Sequence, residues 1–133
     1  MAVKDLELVL TRHLCACLST PTFLVNAGGT LVHFNEAAEA VLGRRFEETG
    51  ELSQPQWARA FSPTDEAGRP LEPADLPLVE ALATLRPAHR FLRIRGMDGV
   101  DRCIEVSAVP LVGMEGLLLG ALALFWEEVA PCA

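Results

Sequence analysis

Two adjacent glycines, Gly28 and Gly29, separate two short apolar segments at residues 22–26 and 30–34. Glycine accepts the positive φ of a tight turn without a steric penalty, and paired glycines suit two-residue hairpin loops. The two segments are therefore predicted to be strands that pair as an antiparallel hairpin. A fold that begins with this hairpin must place both strands in one sheet.

A helix is predicted directly after the hairpin. Asn35 is placed to cap residues 36–42, and Glu36 lies in the first turn, where the helix dipole favours an anion. Gly43 follows as a residue suited to the left-handed conformation that ends many helices. The order strand, turn, strand and helix is thus expected over residues 22–43.

Three later segments are predicted to complete the sheet, at residues 90–95, 102–109 and 117–126. The first two alternate between apolar and polar residues, as half-exposed strands do. The third is apolar on both faces, which is typical of a strand that is covered on both sides. The alternation places one apolar face of the first two strands on Leu92, Ile94, Ile104 and Val106.

Residues 1–19 are predicted to form an amphipathic helix, because apolar residues recur at helical spacing along one side. This helix would cover the outer side of the two-faced last strand. The sequence supports both packing on the chain's own sheet and packing on a second copy, because the apolar stripe also extends to Leu8 and Cys15. The residues predicted for a dimer interface are Leu6, Val9, Leu10, His13, Leu14 and Cys17.

Three blocks of sequence resemble the PAS domain, a sensory module of bacterial signalling proteins. Residues 35–43 follow its pattern N-x-A-A-x-x-x-x-G, residues 68–82 its G-x-P-L and P-x-x-x-A-L passage, and residues 98–126 its final hairpins. The resemblance covers residues 20–128 and leaves residues 129–133 as a loose tail. It implies an α+β fold with a five-stranded antiparallel sheet, helices packed on one face and the N-terminal amphipathic helix on the other.

The resemblance also implies a ligand cavity between the helices and the inner face of the sheet. Prolines exclude long regular elements from residues 47–73, and a helix over residues 75–86, capped by Asp75, would form the opposite wall. Arg90 is placed on the strand where it would either meet an anionic ligand or lie solvated at the edge of the sheet. The predicted pocket residues are Trp57, Phe61, Leu78, Leu82, Arg90, Leu92, Ile94, Ile104 and Val106.

Neither haem nor flavin is expected as a cofactor. Haem-binding relatives usually supply a histidine from the long helix, but residues 75–86 contain none. His33 lies on the second predicted strand, and His89 follows Pro87 at the start of the next strand. The Asn-Cys-Arg-Phe motif of flavin-binding light sensors does not occur. A small organic ligand, apolar or carrying a carboxylate, is the remaining expectation, and its identity is unknown.

No catalytic or metal site is predicted. The acidic residues are spread over turns and helix surfaces, without a nucleophile and base that the fold would bring together. Cys15 and Cys17 lie two residues apart on one helix and point about 200° away from each other, so they do not chelate one ion. We expect the cysteines to be reduced thiols.

Net charge and hydropathy limit the classes of partner that the chain is expected to bind. The net charge of −7 opposes the phosphate attraction on which nucleic-acid binding depends. The longest apolar run, residues 117–126, is about half the length that a membrane helix needs. We expect a cytoplasmic homodimer that associates with neither nucleic acid nor membrane, with a histidine kinase or another signalling protein as a further partner.

Two other fold families compete with the PAS interpretation. A roadblock-like dimeric scaffold also runs helix, two strands, helix and three strands, but it ends in another helix. A small cone-shaped α+β isomerase would place several helices before its sheet. We predict a non-catalytic sensory module that binds a small ligand or a partner protein and signals through packing of a dimer or a partner.

Overall fold

The computed structural model describes residues 3–128 as an α+β fold with five strands and five α-helices. The strands are β1 (Thr22–Asn26), β2 (Leu31–Phe34), β3 (Ala88–Arg95), β4 (Asp101–Val112) and β5 (Leu118–Glu127). The helices are α1 (Val3–Ala16), α2 (Glu36–Leu42), α3 (Phe46–Thr49), α4 (Gln54–Phe61) and α5 (Pro77–Thr84). Among the described residues, no helix is long and apolar enough to cross a bilayer.

The strands form one antiparallel sheet in the order β2-β1-β5-β4-β3, so the predicted five-stranded sheet is confirmed. Gly29 adopts a φ of 84° in the β1–β2 turn, where the Asn26 carboxamide accepts hydrogen bonds from the backbone N–H groups of Gly28 and Thr30. Strand β5 is central and lies between β1 and β4. This position explains why both of its faces are apolar.

Helix α2 forms as predicted. The Asn35 side chain accepts a hydrogen bond from the Ala38 N–H at 3.0 Å, and Gly43 takes a φ of 78° at the other end. Helix α4 begins with a capping box, in which the Gln56 side chain accepts from the Ser53 N–H at 2.9 Å. Local residue chemistry therefore favours both ends of α2 and the start of α4.

The second long helix is shorter than predicted. Helix α5 starts at Pro77, whose missing N–H costs nothing in a first turn, and it ends at Leu85 with a left-handed φ of 58°. Asp75 does not cap it. That residue instead lies in the short 3₁₀ turn Pro73–Asp75, where its carboxylate accepts from the Glu72 N–H at 3.3 Å.

The two faces of the sheet pack against different parts of the chain. The inner face packs against α2, α4 and α5 and holds the main core, including Phe23, Phe34 and Ile104. A smaller apolar cluster lies on the outer face, where α1 crosses β1, β2 and β5. Its buried members are Cys15, Leu24 and Leu122.

Candidate ligand cavity and signalling helix

A cavity of about 80 Å³ lies between the inner face of the sheet, α4 and the segment that leads into α5. Its walls are entirely apolar, and they include Phe23, Leu42 and Phe125 besides predicted residues. Seven of the nine residues predicted for a ligand pocket line it. These seven are Trp57, Phe61, Leu78, Leu92, Ile94, Ile104 and Val106.

Aromatic rings shape the wall of the cavity on the side of α4. Trp57 and Phe61 lie one turn apart on this helix, and both meet the Phe23 ring edge to face, with centroids 5.4 and 6.1 Å away. The Trp57 indole N–H donates a hydrogen bond to the Gly29 carbonyl at 2.9 Å. The one polar atom of this side chain is therefore satisfied by the β1–β2 turn.

Two predicted pocket residues, Leu82 and Arg90, do not line the cavity. Leu82 packs at the margin of the core, one turn beyond Leu78 on α5. Arg90 borders a surface groove with Asp65 and Arg69. An unpaired guanidinium in an apolar cavity would lose its hydration, which explains why this side chain stays at the solvent edge.

Helix α1 is apolar on two opposite faces. Cys15 is buried against the sheet and Leu8 packs beside it. Both residues lie outside the predicted interface stripe. The predicted interface residues point the other way, and Leu10 and Leu14 are 59% and 61% exposed. Along the described part of that stripe, the exposed residues are Leu6, Val9, Leu10, His13, Leu14 and Cys17.

A buried asparagine connects α1 to the rest of the domain. The Asn35 carboxamide nitrogen donates to the carbonyls of Cys15, Leu18 and Thr20 at 2.8–3.2 Å. Its oxygen accepts from the N–H groups of Thr22 and Ala38, both at 3.0 Å. Sequence reasoning identifies Asn35 as a helix cap but misses its bonds to the end of α1, because those partners lie outside any local motif.

The imidazole of His33 is enclosed where α1 meets the edge of the sheet. Both ring nitrogens are buried, neither has a hydrogen-bond partner among the described residues, and the Phe46 ring packs edge to face at 5.2 Å. Burial lowers the pKa of His33, the charge of Arg12 lowers it further and Glu39 acts in the opposite direction. The neutral imidazole is thus the form that this site favours.

A second polar cluster lies on the exposed part of the outer face. The Glu105 carboxylate accepts from the Trp126 indole N–H at 3.0 Å and lies 2.8 Å from Nε2 of His89. The Phe91 ring packs edge to face on His89 at 5.8 Å. Sequence alternation places these residues on one face but does not reveal that their side chains join.

The cysteines differ in their surroundings. Cys15 lies on the side of α1 that packs on the sheet, and its burial raises the pKa of its thiol. Cys17 is exposed on the opposite side. Cys103 of β4 is disulfide-bonded, so the expectation of reduced thiols is wrong at this position. Within residues 3–128, no cluster of three or more histidine, cysteine or acidic residues is arranged to hold a metal ion.

Solved structures share this fold at low sequence identity. The PAS domain of nitrogen regulation protein NR(II) from Vibrio parahaemolyticus has a TM-score of 0.63 and 17% identity, covering 90% of this chain and 98% of that one. A PAS domain from a two-component sensor histidine kinase gives 0.61 and 14%, with coverages of 93% and 98%. The light-state dimer of the fungal blue-light photoreceptor Vivid gives 0.62 and 10%, with coverages of 96% and 95%.

One of two sequence comparisons identifies the same family as the structural neighbours. No curated protein matches the chain. A family model described as the PAS fold matches residues 10–126, which include α2, the cavity walls, strands β1 to β4 and all of β5 except its last residue. PAS domains are generally non-catalytic sensory modules. Since the match spans most of the sequence, the chain belongs to the PAS family.

Proposed function

We propose that this domain is a non-catalytic sensory module that responds to a small ligand or a partner protein and signals through helix α1. The observation that carries the proposal is the second apolar face of α1. One face is buried on the sheet, and the opposite face presents Leu10 and Leu14 to solvent. A helix that is apolar on both sides is typical of a layer between two packed surfaces.

The second surface is best supplied by α1 of another copy. Leu6, Leu10, His13 and Cys17 follow one another at spacings of four, three and four residues, which is the seam spacing of paired helices. A two-fold axis would set the same stripe against itself, so the interface needs no other partner. Vivid, a neighbour in fold, is described as a dimer in its light state.

The link from the cavity to α1 runs through α2. Leu42, at the end of α2, lines the cavity, and Asn35 caps the start of the same helix. Asn35 also binds the carbonyl of Cys15 near the end of α1. A ligand that displaces α2 would thereby alter how α1 lies on the sheet, provided that it binds the two arrangements with different affinities.

The proposal includes a setting. A bacterial, cytoplasmic context with a histidine kinase as downstream partner is supported by similarity in fold to a PAS domain of a two-component sensor histidine kinase. In this arrangement residues 1–19 serve packing and residues 20–128 serve sensing. The loose tail predicted at residues 129–133 lies outside the described residues.

The test is the double substitution Leu10→Glu with Leu14→Glu, measured by sedimentation velocity. Both side chains are exposed within one copy, so the fold should persist while two rows of carboxylates repel each other across the dimer axis. We expect a dimer for the unmodified chain and a monomer for the variant. Val100→Glu, at an exposed position in the β3–β4 turn, is the matched control and should remain dimeric.

Two results would contradict the proposal. An unchanged dimer in the Leu10→Glu, Leu14→Glu variant would place the interface elsewhere. A monomer for the unmodified chain at all concentrations, with the kinase partner binding α1 instead, would replace the second copy by a heterologous helix.

A further inference from the structure

We infer that the ligand of the inner cavity is a small, uncharged and wholly apolar molecule, comparable in size to benzene or smaller. The inference rests on the proposed sensory function and specifies the chemistry of its ligand. It is carried by the composition of the cavity walls, the volume between them and the position of Arg90 outside the cavity.

The walls offer no hydrogen-bond partner. They consist of aliphatic and aromatic side chains, and the polar surface that they expose to the cavity is nil. The indole N–H of Trp57 is bonded to the Gly29 carbonyl. The backbone groups of Leu92 and Ile104 belong to paired positions of the β3–β4 ladder.

A polar ligand would therefore lose hydration without compensation. A hydroxyl, amide or carboxylate placed in this space would leave its donors and acceptors unpaired, which weakens binding by about tenfold to a hundredfold for a neutral group. A charged group would lose far more. The cavity therefore favours a molecule whose surface against these walls carries no polar group.

The volume limits the size. A cavity of about 80 Å³ is far below the roughly 300–1,000 Å³ typical of sites for drug-sized ligands and cofactors. It is closer to an engineered apolar cavity of about 150 Å³ that stays dry and binds benzene or xenon. A compact hydrocarbon or a similarly apolar small molecule fits this range, with modest adjustment of the aromatic walls.

The position of Arg90 removes the basis for an anionic ligand. Its guanidinium borders the surface groove with Asp65, Glu66 and Arg69, outside the cavity. The Asp65 carboxylate lies 3.4 Å from Arg69, and the pKa of Asp65 is lowered chiefly by the Arg69 backbone N–H. This exposed groove already carries opposite charges side by side, so it does not attract an anion into the core.

The probes are benzene, xenon and phenol, added to the full chain in solution. Methyl resonances of Leu78, Leu92, Ile94, Ile104 and Val106 report from the cavity, and those of Leu122 and Leu124 report from the outer face. We expect benzene and xenon to shift the cavity methyls alone. Phenol, which differs from benzene by one hydroxyl, should bind at least tenfold more weakly.

Filling the cavity should abolish binding. Val106→Phe adds volume on the inner face of β4, and Val109→Phe makes the same change on the outer face of the same strand. The first variant should lose the response to benzene and the second should keep it. The comparison of benzene with phenol uses the unmodified chain, so the inference stays testable even if Val106→Phe does not fold.

The inference is overturned if benzene and xenon leave the cavity methyls unchanged at saturation, if phenol binds as tightly as benzene, or if only outer-face methyls respond. Its failure is distinct from failure of the proposed function. A monomeric Leu10→Glu, Leu14→Glu variant without any benzene response would refute the ligand class and leave the α1 interface standing. A benzene response together with a Leu10→Glu, Leu14→Glu variant that remains dimeric would support the ligand class and refute the α1 interface.

Discussion

The inner and outer faces of the sheet differ in how fully the chain's own residues cover them. On the inner face, rings such as Phe34 are enclosed by helices of the same chain, and Phe34 is 1% exposed. On the outer face, α1 covers β1, β2 and β5, while Phe91 and Trp126 remain 47% and 40% exposed. The chain covers the inner face with its own helices and leaves these aromatic side chains of the outer face exposed.

The exposed aromatics of the outer face are held in place despite their exposure. Glu105 accepts the Trp126 indole N–H, and His89 connects the same carboxylate to the Phe91 ring. Fixed aromatic side chains lose little conformational entropy when they bind, which is typical of residues that dominate interfaces. This cluster lies on the same outer face as α1 and adds to the exposed apolar surface there.

The contrast is tested most strongly by removing one phenylalanine from each face. Phe34→Ala should lower the free energy of unfolding by about 3–5 kcal/mol, because it opens a cavity in a close-packed core. Phe91→Ala should cost less than about 1 kcal/mol, since the ring is half exposed and loses mainly its contact with His89. Urea unfolding of both variants at low protein concentration provides the measurement.

A different ranking would break the contrast. If Phe91→Ala destabilised the protein as much as Phe34→Ala, the outer face would be as fully covered as the inner one. Repeating the unfolding at higher concentration identifies the cover, since a loss that grows with concentration belongs to the dimer.

The inner face was largely predictable from sequence. Alternation assigned Leu92, Ile94, Ile104 and Val106 to one side, and all four are buried there. The hairpin glycines and the cap at Asn35 are local signals, so they were also predictable. Local periodicity does not say how far a side chain reaches, however. Arg90 lies two residues before Leu92 and therefore on the same face of the strand, so the sequence left two positions open for it, against a ligand or at the solvent edge of the sheet.

The outer face was less predictable, and α1 shows why. The helical spacing identified one apolar stripe, which the chain leaves exposed, whereas Leu8 and Cys15 pack on the sheet. When a helix carries apolar residues on two opposite faces, its periodicity does not choose which of them packs on the sheet. The choice is made by tertiary contacts, chiefly the bonds from Asn35 to the carbonyls at the end of α1.

Asn35 joins the two faces, so its removal should separate them. Asn35→Ala leaves the N–H of Thr22 and the carbonyls of Cys15 and Thr20 without their buried partner. We expect a loss of about 2–3 kcal/mol in the free energy of unfolding, somewhat less than for Phe34→Ala. Chemical denaturation measures the total loss.

Asn35→Asp distinguishes the two roles of this side chain. The aspartate keeps an oxygen to cap α2 but loses the amide donor that holds α1. Hydrogen exchange should therefore speed up in α1 while α2 stays protected. Unchanged protection in both helices would mean that Asn35 serves only as a cap and that the tether to α1 contributes nothing.

The smallest expected effect concerns pH and the outer face. His33 pairs across the ladder with Leu24, a member of the outer cluster, and its imidazole faces Arg12 of α1, Glu39 of α2 and the Phe46 ring. Burial, reinforced by the charge of Arg12, lowers the pKa of His33 from its ordinary value of 6.5. Protonation would place a second cation beside α1 without a hydrogen-bond partner.

The sign of the pH dependence follows from this lowered pKa. Well above pH 6.5 the imidazole is neutral in the folded and unfolded chain alike, so it does not change the stability. As the pH falls below 6.5, the unfolded chain binds a proton that the folded chain resists, and the stability decreases until the folded pKa is reached. His33→Leu should flatten that decrease between about pH 7 and pH 5, as measured by urea unfolding.

Hydrogen exchange should show α1 opening first in the unmodified chain, because the added charge lies at its contact with the sheet. Parallel stability curves for the two proteins, or acid opening that begins at the inner-face helices, would place the pH-sensitive contact away from His33 and the outer face.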